Sequence, residues 1–222
     1  MAPRADVQAV IWDFGGVFTS SPFEAFNRYE AERGLPKDFI RTVNATNPHE
    51  NAWALFERNE VDAATFDGLF LKESTALGHA VRGAEVLPLL SGALRPRMVA
   101  ALEACKAHFK VGCITNNVVS MHSPGQDEGQ RAAGAMAQVM PLFDAIIESS
   151  KAGVRKPDPR IYLMMCDLLA VAPEACVYLD DLGINCKPAA GLGMKAIKVV
   201  DVDQTLAELA AATGLSFEGA DA

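Results

Sequence analysis

Three short apolar runs in this chain each stop at a polar cluster, and this recurrence constrains the fold more than any other feature. Val7 to Trp12 ends at Asp13, Lys110 to Ile114 at Thr115-Asn116, and Cys176 to Leu179 at Asp180-Asp181. Nearly continuous apolar runs of this length are the strands of a parallel sheet covered on both faces. Two further strand patterns, Phe143 to Ile147 and Ala196 to Val200, alternate with helical patterns at Pro96 to His108, Asp158 to Leu169, Cys186 to Leu192 and Gln204 to Thr213. Such alternation predicts an α/β chain, a Rossmann-like doubly wound parallel sheet with helices on both sides.

One stretch breaks the alternation. From Pro22 to about Leu90 only helical patterns occur, in short amphipathic pieces: one with Phe23, Phe26, Tyr29 and Ala31 near one face, then Asp38 to Ala45, Trp53 to Arg58, and Phe66 to Leu77 with Asp62 as its N-cap. Gly34-Leu35-Pro36 punctuates the first of them. The expected organisation is a core made of residues 1–20 and 91–222, with a small all-helical unit, residues 21–90, inserted into it. Its aromatic residues, Phe23, Phe26, Tyr29, Trp53, Phe56, Phe66 and Phe70, are expected mainly to pack that unit's own interior, with one or two at its entrance. Val119 to Gln138 is polar and rich in small residues, which reads as a loop beside the strand ends.

Composition narrows the function classes. Half of the 222 residues are hydrophobic, so a core can form without disulfides or a structural metal. The charge is −8, from 28 acidic against 20 basic residues, and no Lys/Arg run supplies the basic stripe of a nucleic-acid binder. The five cysteines are scattered with no C-x-x-C pair, so they read as buried thiols in a reducing cytoplasm. Met1 to Asp6 lead directly into the first strand without a signal-peptide pattern, and no apolar run approaches the ~20 residues of a membrane span. A cytoplasmic chain with a small-molecule partner is expected, without nucleic acid or membrane. Nothing marks an oligomer interface.

The polar clusters carry the chemistry. Taken singly, Asp13, Thr115-Asn116 and Asp180-Asp181 read as turns or caps, and Lys156-Pro157-Asp158-Pro159 as a helix entry with Asp158 at the N-cap. Taken together they bring carboxylates, a hydroxyl and a lysine to one edge of a parallel sheet, where ligands bind. Carboxylates meeting there repel unless a divalent cation neutralises them, and hard oxygen ligands without His or Cys point to Mg²⁺. A nucleophilic aspartate, a cation site and an oxyanion clamp are the parts that phosphoryl transfer needs.

Asp13-Phe14-Gly15-Gly16-Val17, Ile114-Thr115-Asn116, Lys156-Pro157 and Leu179-Asp180-Asp181 resemble the four motifs of the haloacid dehalogenase superfamily. The stretch from Ile147 through Gly153-Val154-Arg155-Lys156-Pro157-Asp158-Pro159 to Met194 is similar to the N-terminal phosphatase domain of soluble epoxide hydrolase and its acyl-CoA-dehydrogenase-fused relatives. The resemblance implies a phosphatase in which Asp13 is the nucleophile and carries an aspartyl-phosphate. It implies Asp13, the Gly15 carbonyl and Asp181 as Mg²⁺ ligands, with Asp180 and Asn185 in support. Thr115 and the Asn116 amide would bind phosphate oxygens, and Lys156 would balance charge on nucleophile and phosphate. The helical insert would be a cap that excludes water and selects substrates.

One position departs from the pattern. Phosphatases of this superfamily carry a second Asp two residues after the nucleophile, as acid and then base, where this chain has Gly15. Losing a positioned acid/base costs on the order of 10²–10⁴ in rate. Thr19, Ser20 and His122 are candidates to replace it by location. The departure also opens a second reading, a phosphate-ligand binding protein without turnover. A haloacid dehalogenase is the third, against which the acidic pair Asp180-Asp181 argues, since dehalogenases of the superfamily work without metal.

Overall fold

The computed structural model describes residues 3–90, 92–116 and 137–217, except for the side chain of Glu24. Its centre is a five-stranded, all-parallel sheet in the order β3-β2-β1-β4-β5, with β1 Ala9–Trp12, β2 Lys110–Thr115, β3 Ala145–Glu148, β4 Cys176–Asp180 and β5 Lys195–Lys198. β1 and β4 are buried along their whole length, which explains why they read as unbroken apolar runs. α6 (Pro96–Lys106) and α10 (Val202–Thr213) cover one face, with Leu102, Cys105, Leu206 and Leu209 packed on Trp12, Val111 and Leu179. α8 (Pro159–Leu169) and α9 (Gly183–Gly191) cover the other, with Ile161, Met165 and Ala189 on Ile11, Ile114 and Tyr178. The expected doubly wound architecture is the observed one.

Residues 22–90 form α1 (Pro22–Arg33), α2 (Phe39–Ala45), α3 (Ala52–Glu57), α4 (Ala63–Ala76) and α5 (Gly83–Val86), the last running into a 3₁₀ turn at Leu87–Leu90. Asp62 caps α4 by accepting the Thr65 amide, as its position before the helix dictates. Phe26, Phe56, Phe66 and Phe70 are buried in a separate apolar cluster shared by these helices, with Phe56 stacked on Phe66 at 4.6 Å. The chain enters and leaves this unit side by side: Thr19 bridges Leu94 antiparallel, Ser20 N–H donates to Ala93 O and Arg95 N–H to Phe18 O.

Several boundaries differ from the sequence reading for local reasons. α9 begins at Gly183 rather than Cys186, because its first turn is held from outside by Asp180, which accepts the Leu182 amide and the Asn185 side chain. β3 begins at Ala145, two residues after the expected start, because Phe143 follows a 3₁₀ turn and plugs the core beside Phe18. The short α5 and α7 (Ser149–Ala152) carry no periodic signal. Cys105, Cys113, Cys166 and Cys176 are buried thiols, as their apolar neighbours predict, and Cys186 is half-buried. The polar stretch Val119 to Gln138, with His122, lies outside the described residues except for its last two. No helix among the described residues is long and apolar enough to cross a membrane.

Candidate active site

Parallel pairing of β1 with β2 and β4 puts the residues after their C-terminal ends side by side. Trp12 is level with Cys113 and Leu179, so Asp13 leaves the sheet between Thr115 and Asp180-Asp181. One carboxylate oxygen from each of Asp13, Asp180 and Asp181 lies within 4.8 Å of the others. Lys156, 1% exposed, reaches in from the loop before α8 and bridges two of them, with Nζ 2.8 Å from Asp13 Oδ1 and 2.8 Å from Asp180 Oδ2. Burial works against the lysine's charge, but the two carboxylates outweigh it and hold the pKa above the ordinary value.

The two aspartates of the pair do different work. Asp180 is fully buried and saturated: Lys156 and Tyr178 Oη donate to Oδ2, the Leu182 amide to Oδ1, and Asn185 Nδ2 lies 3.1 Å from both oxygens. It anchors Lys156 and has no capacity left for a ligand. Asp181 is half-exposed, and no side chain among the described residues hydrogen-bonds its carboxylate. Burial, then repulsion from Asp180, pushes its pKa up to about 7. Asp13 is likewise pushed upward, chiefly by burial and then by Asp180 and Asp181, with Lys156 opposing. Its Oδ1 is fixed by the Phe14 amide at 2.7 Å as well as by Lys156, while Oδ2 takes no hydrogen bond among the described residues. Two carboxylates whose charge is disfavoured, facing each other with open oxygens, form an all-oxygen donor set that fits a hard divalent cation.

The turn after Asp13 is shaped to this cluster. Gly16 has φ +72°, and a Cβ there would lie 2.2 Å from Asp181 Oδ2, so both backbone and space demand glycine. Its amide donates to Thr19 Oγ1 and its carbonyl accepts from Arg95 Nη1 at 2.9 Å. Gly15 is different: it is exposed, and a Cβ would meet nothing within 4 Å. Thr19 and Ser20, considered above as replacement acids, both serve the turn: Thr19 Oγ1 accepts the Gly16 amide and Ser20 Oγ the Ala93 amide.

Thr115 ends β2, buried, while the Asn116 side chain clasps the Lys156 main chain, Nδ2 donating to its carbonyl and Oδ1 accepting its amide. The sequence implied only the Asn116 backbone amide; its side chain sets the height of the lysine loop. Sequence reasoning also missed Glu57, the last residue of α3. Its buried carboxylate accepts from Arg155 at 2.5 Å, Trp53 Nε1 at 3.0 Å and Asn116 Nδ2 at 3.4 Å, and its carbonyl accepts from Ser149 Oγ at 2.7 Å. Burial raises its pKa and Arg155 opposes the shift. A Glu at the end of an amphipathic helix looks like any solvated residue, so only the docking of α3 reveals it. Glu57→Ala is expected to cost about 1–3 kcal/mol, because the part-buried Arg155 loses its carboxylate partner and keeps only the Pro48 carbonyl among the described residues. Thermal unfolding of this variant, of Arg155→Ala and of the double variant measures the coupling; purely additive losses would show that the pair does not join the helical unit to the core.

A parallel sheet whose β1 end carries Asp13, whose β2 end carries Thr115 and whose β4 end carries Asp180-Asp181, with Lys156 between them, defines a hydrolase of the haloacid dehalogenase type. Residues 7–193 match the haloacid dehalogenase-like hydrolases as a family, and the chain belongs to it. Among curated proteins it is 30% identical over 228 residues to bifunctional epoxide hydrolase 2 of Sus scrofa, covering 95% of this chain and 40% of that protein. The chain thus spans less than half the length of that relative. It is 26% identical over 208 residues to a sesquiterpene phosphatase of Aspergillus oryzae, covering 91% of this chain and 94% of that one. A haloacid dehalogenase family enzyme from Bacteroides thetaiotaomicron, solved with magnesium and inorganic phosphate, shares the fold with a TM-score of 0.57 at 16% identity, over 87% of this chain and 94% of that chain.

Proposed function

We propose that this hydrolase is a Mg²⁺-dependent phosphatase that cleaves a small organic phosphate monoester through an aspartyl-phosphate on Asp13, beneath a helical cap made of residues 21–90. The observation that carries the reading is the division of labour at the strand ends: Asp180 saturated and holding Lys156, Asp13 and Asp181 each with oxygen to spare. Asp13 attacks phosphorus through its carboxylate, and the bond from phosphorus to the leaving-group oxygen breaks, that oxygen taking a proton from solvent. Lys156, Thr115 and the Asn116 amide bind the phosphoryl oxygens, where negative charge is concentrated. Water then attacks the aspartyl-phosphate, gives its proton to solvent, releases inorganic phosphate and restores the carboxylate. A Mg²⁺ held by Asp13, the Gly15 carbonyl and Asp181 would neutralise charge between nucleophile and phosphate.

A binding protein without turnover is the second reading, and Gly15 is what favours it. Hydrolysis of p-nitrophenyl phosphate separates the two, since this leaving group departs with little protonation and bypasses the missing acid. Turnover is expected with Mg²⁺ and is expected to vanish with EDTA. Unchanged activity in EDTA would overturn the metal assignment. If no product forms, intact mass decides between a stalled Asp13 phosphoester and an unmodified binder.

A further inference from the structure

We propose that the groove between the α1–α2 face and the loops after β4 and β5 is the leaving-group subsite, and that it takes an organic phosphate whose apolar body ends in a second anionic group. This rests on the phosphatase reading and names the substrate class of the same site. The groove has a volume of about 400 Å³, within the range of small-molecule sites, and its lining includes Gly16 and Asp181 from the strand-end cluster. In the proposed arrangement the leaving group of a phosphate at Asp13 runs past the glycine turn and Asp181 into this groove.

The lining is electrostatically unlike the rest of the chain. Arg41, Arg95 and Lys198 face one acid, Asp181, although acidic residues outnumber basic ones 28 to 20 overall. Arg95 is committed to the Gly16 carbonyl and offsets the charge of Asp181. Arg41 and Lys198 are not used by the reaction centre. Lys198 forms no ion pair among the described residues, and its stem lies along Gly183, where a Cβ would sit 3.8 Å from Cδ. Arg41 stacks over Phe23 at 4.3 Å and pairs with the exposed Asp38 at 3.1 Å, an ion pair that is weak in water and that a ligand anion can replace. Phe23, Ile184 and Val200 also line the groove, the last two 58% and 66% exposed. Apolar side chains open to solvent around a concave, cationic site match an apolar linker ending in a carboxylate or a phosphate.

Three substrates of one length test this: hexyl phosphate, its carboxylate-terminated analogue and hexanediol bisphosphate, assayed with Mg²⁺ in the wild type and in Lys198→Met, Arg41→Met and Lys198→Arg. The readout is the ratio of kcat/KM between an anion-terminated substrate and hexyl phosphate within each variant, so a general loss of activity cancels. Expected is a wild-type ratio of roughly 10 to 100, carried by KM, falling several-fold in each Met variant and restored in Lys198→Arg. The larger of the carboxylate and bisphosphate ratios identifies the anion. A ratio near one in the wild type, or ratios unmoved in both Met variants, would overturn the proposal. If no substrate turns over, calorimetric Kd values for the same compounds supply the same ratios; the phosphatase reading then fails while the subsite stands or falls on its own.

Discussion

Asp13→Asn is expected to lower p-nitrophenyl phosphate hydrolysis on the order of 10⁴-fold or more, with the protein still folded. The magnitude is that of removing a nucleophile whose function no neighbour can assume. Asp180 cannot step in, because four donors occupy its oxygens, and Lys156 then has no nucleophile to serve. The fold should tolerate the change, for a physical reason. Burial, Asp180 and Asp181 all disfavour charge on Asp13, and the neutral amide removes that unfavourable contribution. Oδ1 of the asparagine can still accept the Phe14 amide and the Lys156 ammonium. A melting temperature within a few degrees of wild type is the companion measurement. Substantial hydrolysis by a folded Asn variant would rule out covalent catalysis at this position.

Gly15→Asp is expected to act in the opposite direction. Turnover of alkyl phosphates should rise by up to about 10²–10⁴, the contribution of a positioned acid/base, while p-nitrophenyl phosphate gains much less because its leaving group hardly needs the proton. The structure makes this test clean. Gly15 lies outside the left-handed region and its Cβ would enter open space, so the turn need not distort to carry the side chain. The adjacent glycine would not allow it, since any side chain on Gly16 strikes the Asp181 carboxylate. Comparing the two substrates in the same variant separates a restored acid from a general change. Equal or lower activity on both, in a folded protein, would mean that another group already protonates the leaving oxygen.

Much of the architecture could be read from the chain because its causes are local. The strands at β1, β2 and β4 are apolar because both faces of a parallel sheet are covered, and each stops at the polar residues of the strand-end cluster. Asp62 caps α4 through an amide three residues away, a relation that depends on spacing alone. Boundaries slipped where a distant group intervened, as at α9, whose first turn answers to the Asp180 carboxylate, and at β3, where Phe143 is drawn into the core beside Phe18.

By itself the sequence determined the class of fold, the set of residues at the sheet edge, the thiols that are buried and the missing carboxylate at Gly15, since each is set by residue type, period and short-range spacing. The motif resemblance already implies Asp181 at the cation and Asp180 in support; only the tertiary structure showed why, since Asp180 is spent on anchoring Lys156 and on the Tyr178, Leu182 and Asn185 donors. It also decided that Glu57 joins α3 to Arg155 and Asn116, and that Arg41 and Lys198 share one groove. The relations of Lys156, Glu57 and Arg41 join residues tens to more than a hundred positions apart. Chain order says nothing about such separations until the β3-β2-β1-β4-β5 arrangement and the docking of the helical unit convert them into hydrogen bonds, an ion pair and a shared groove.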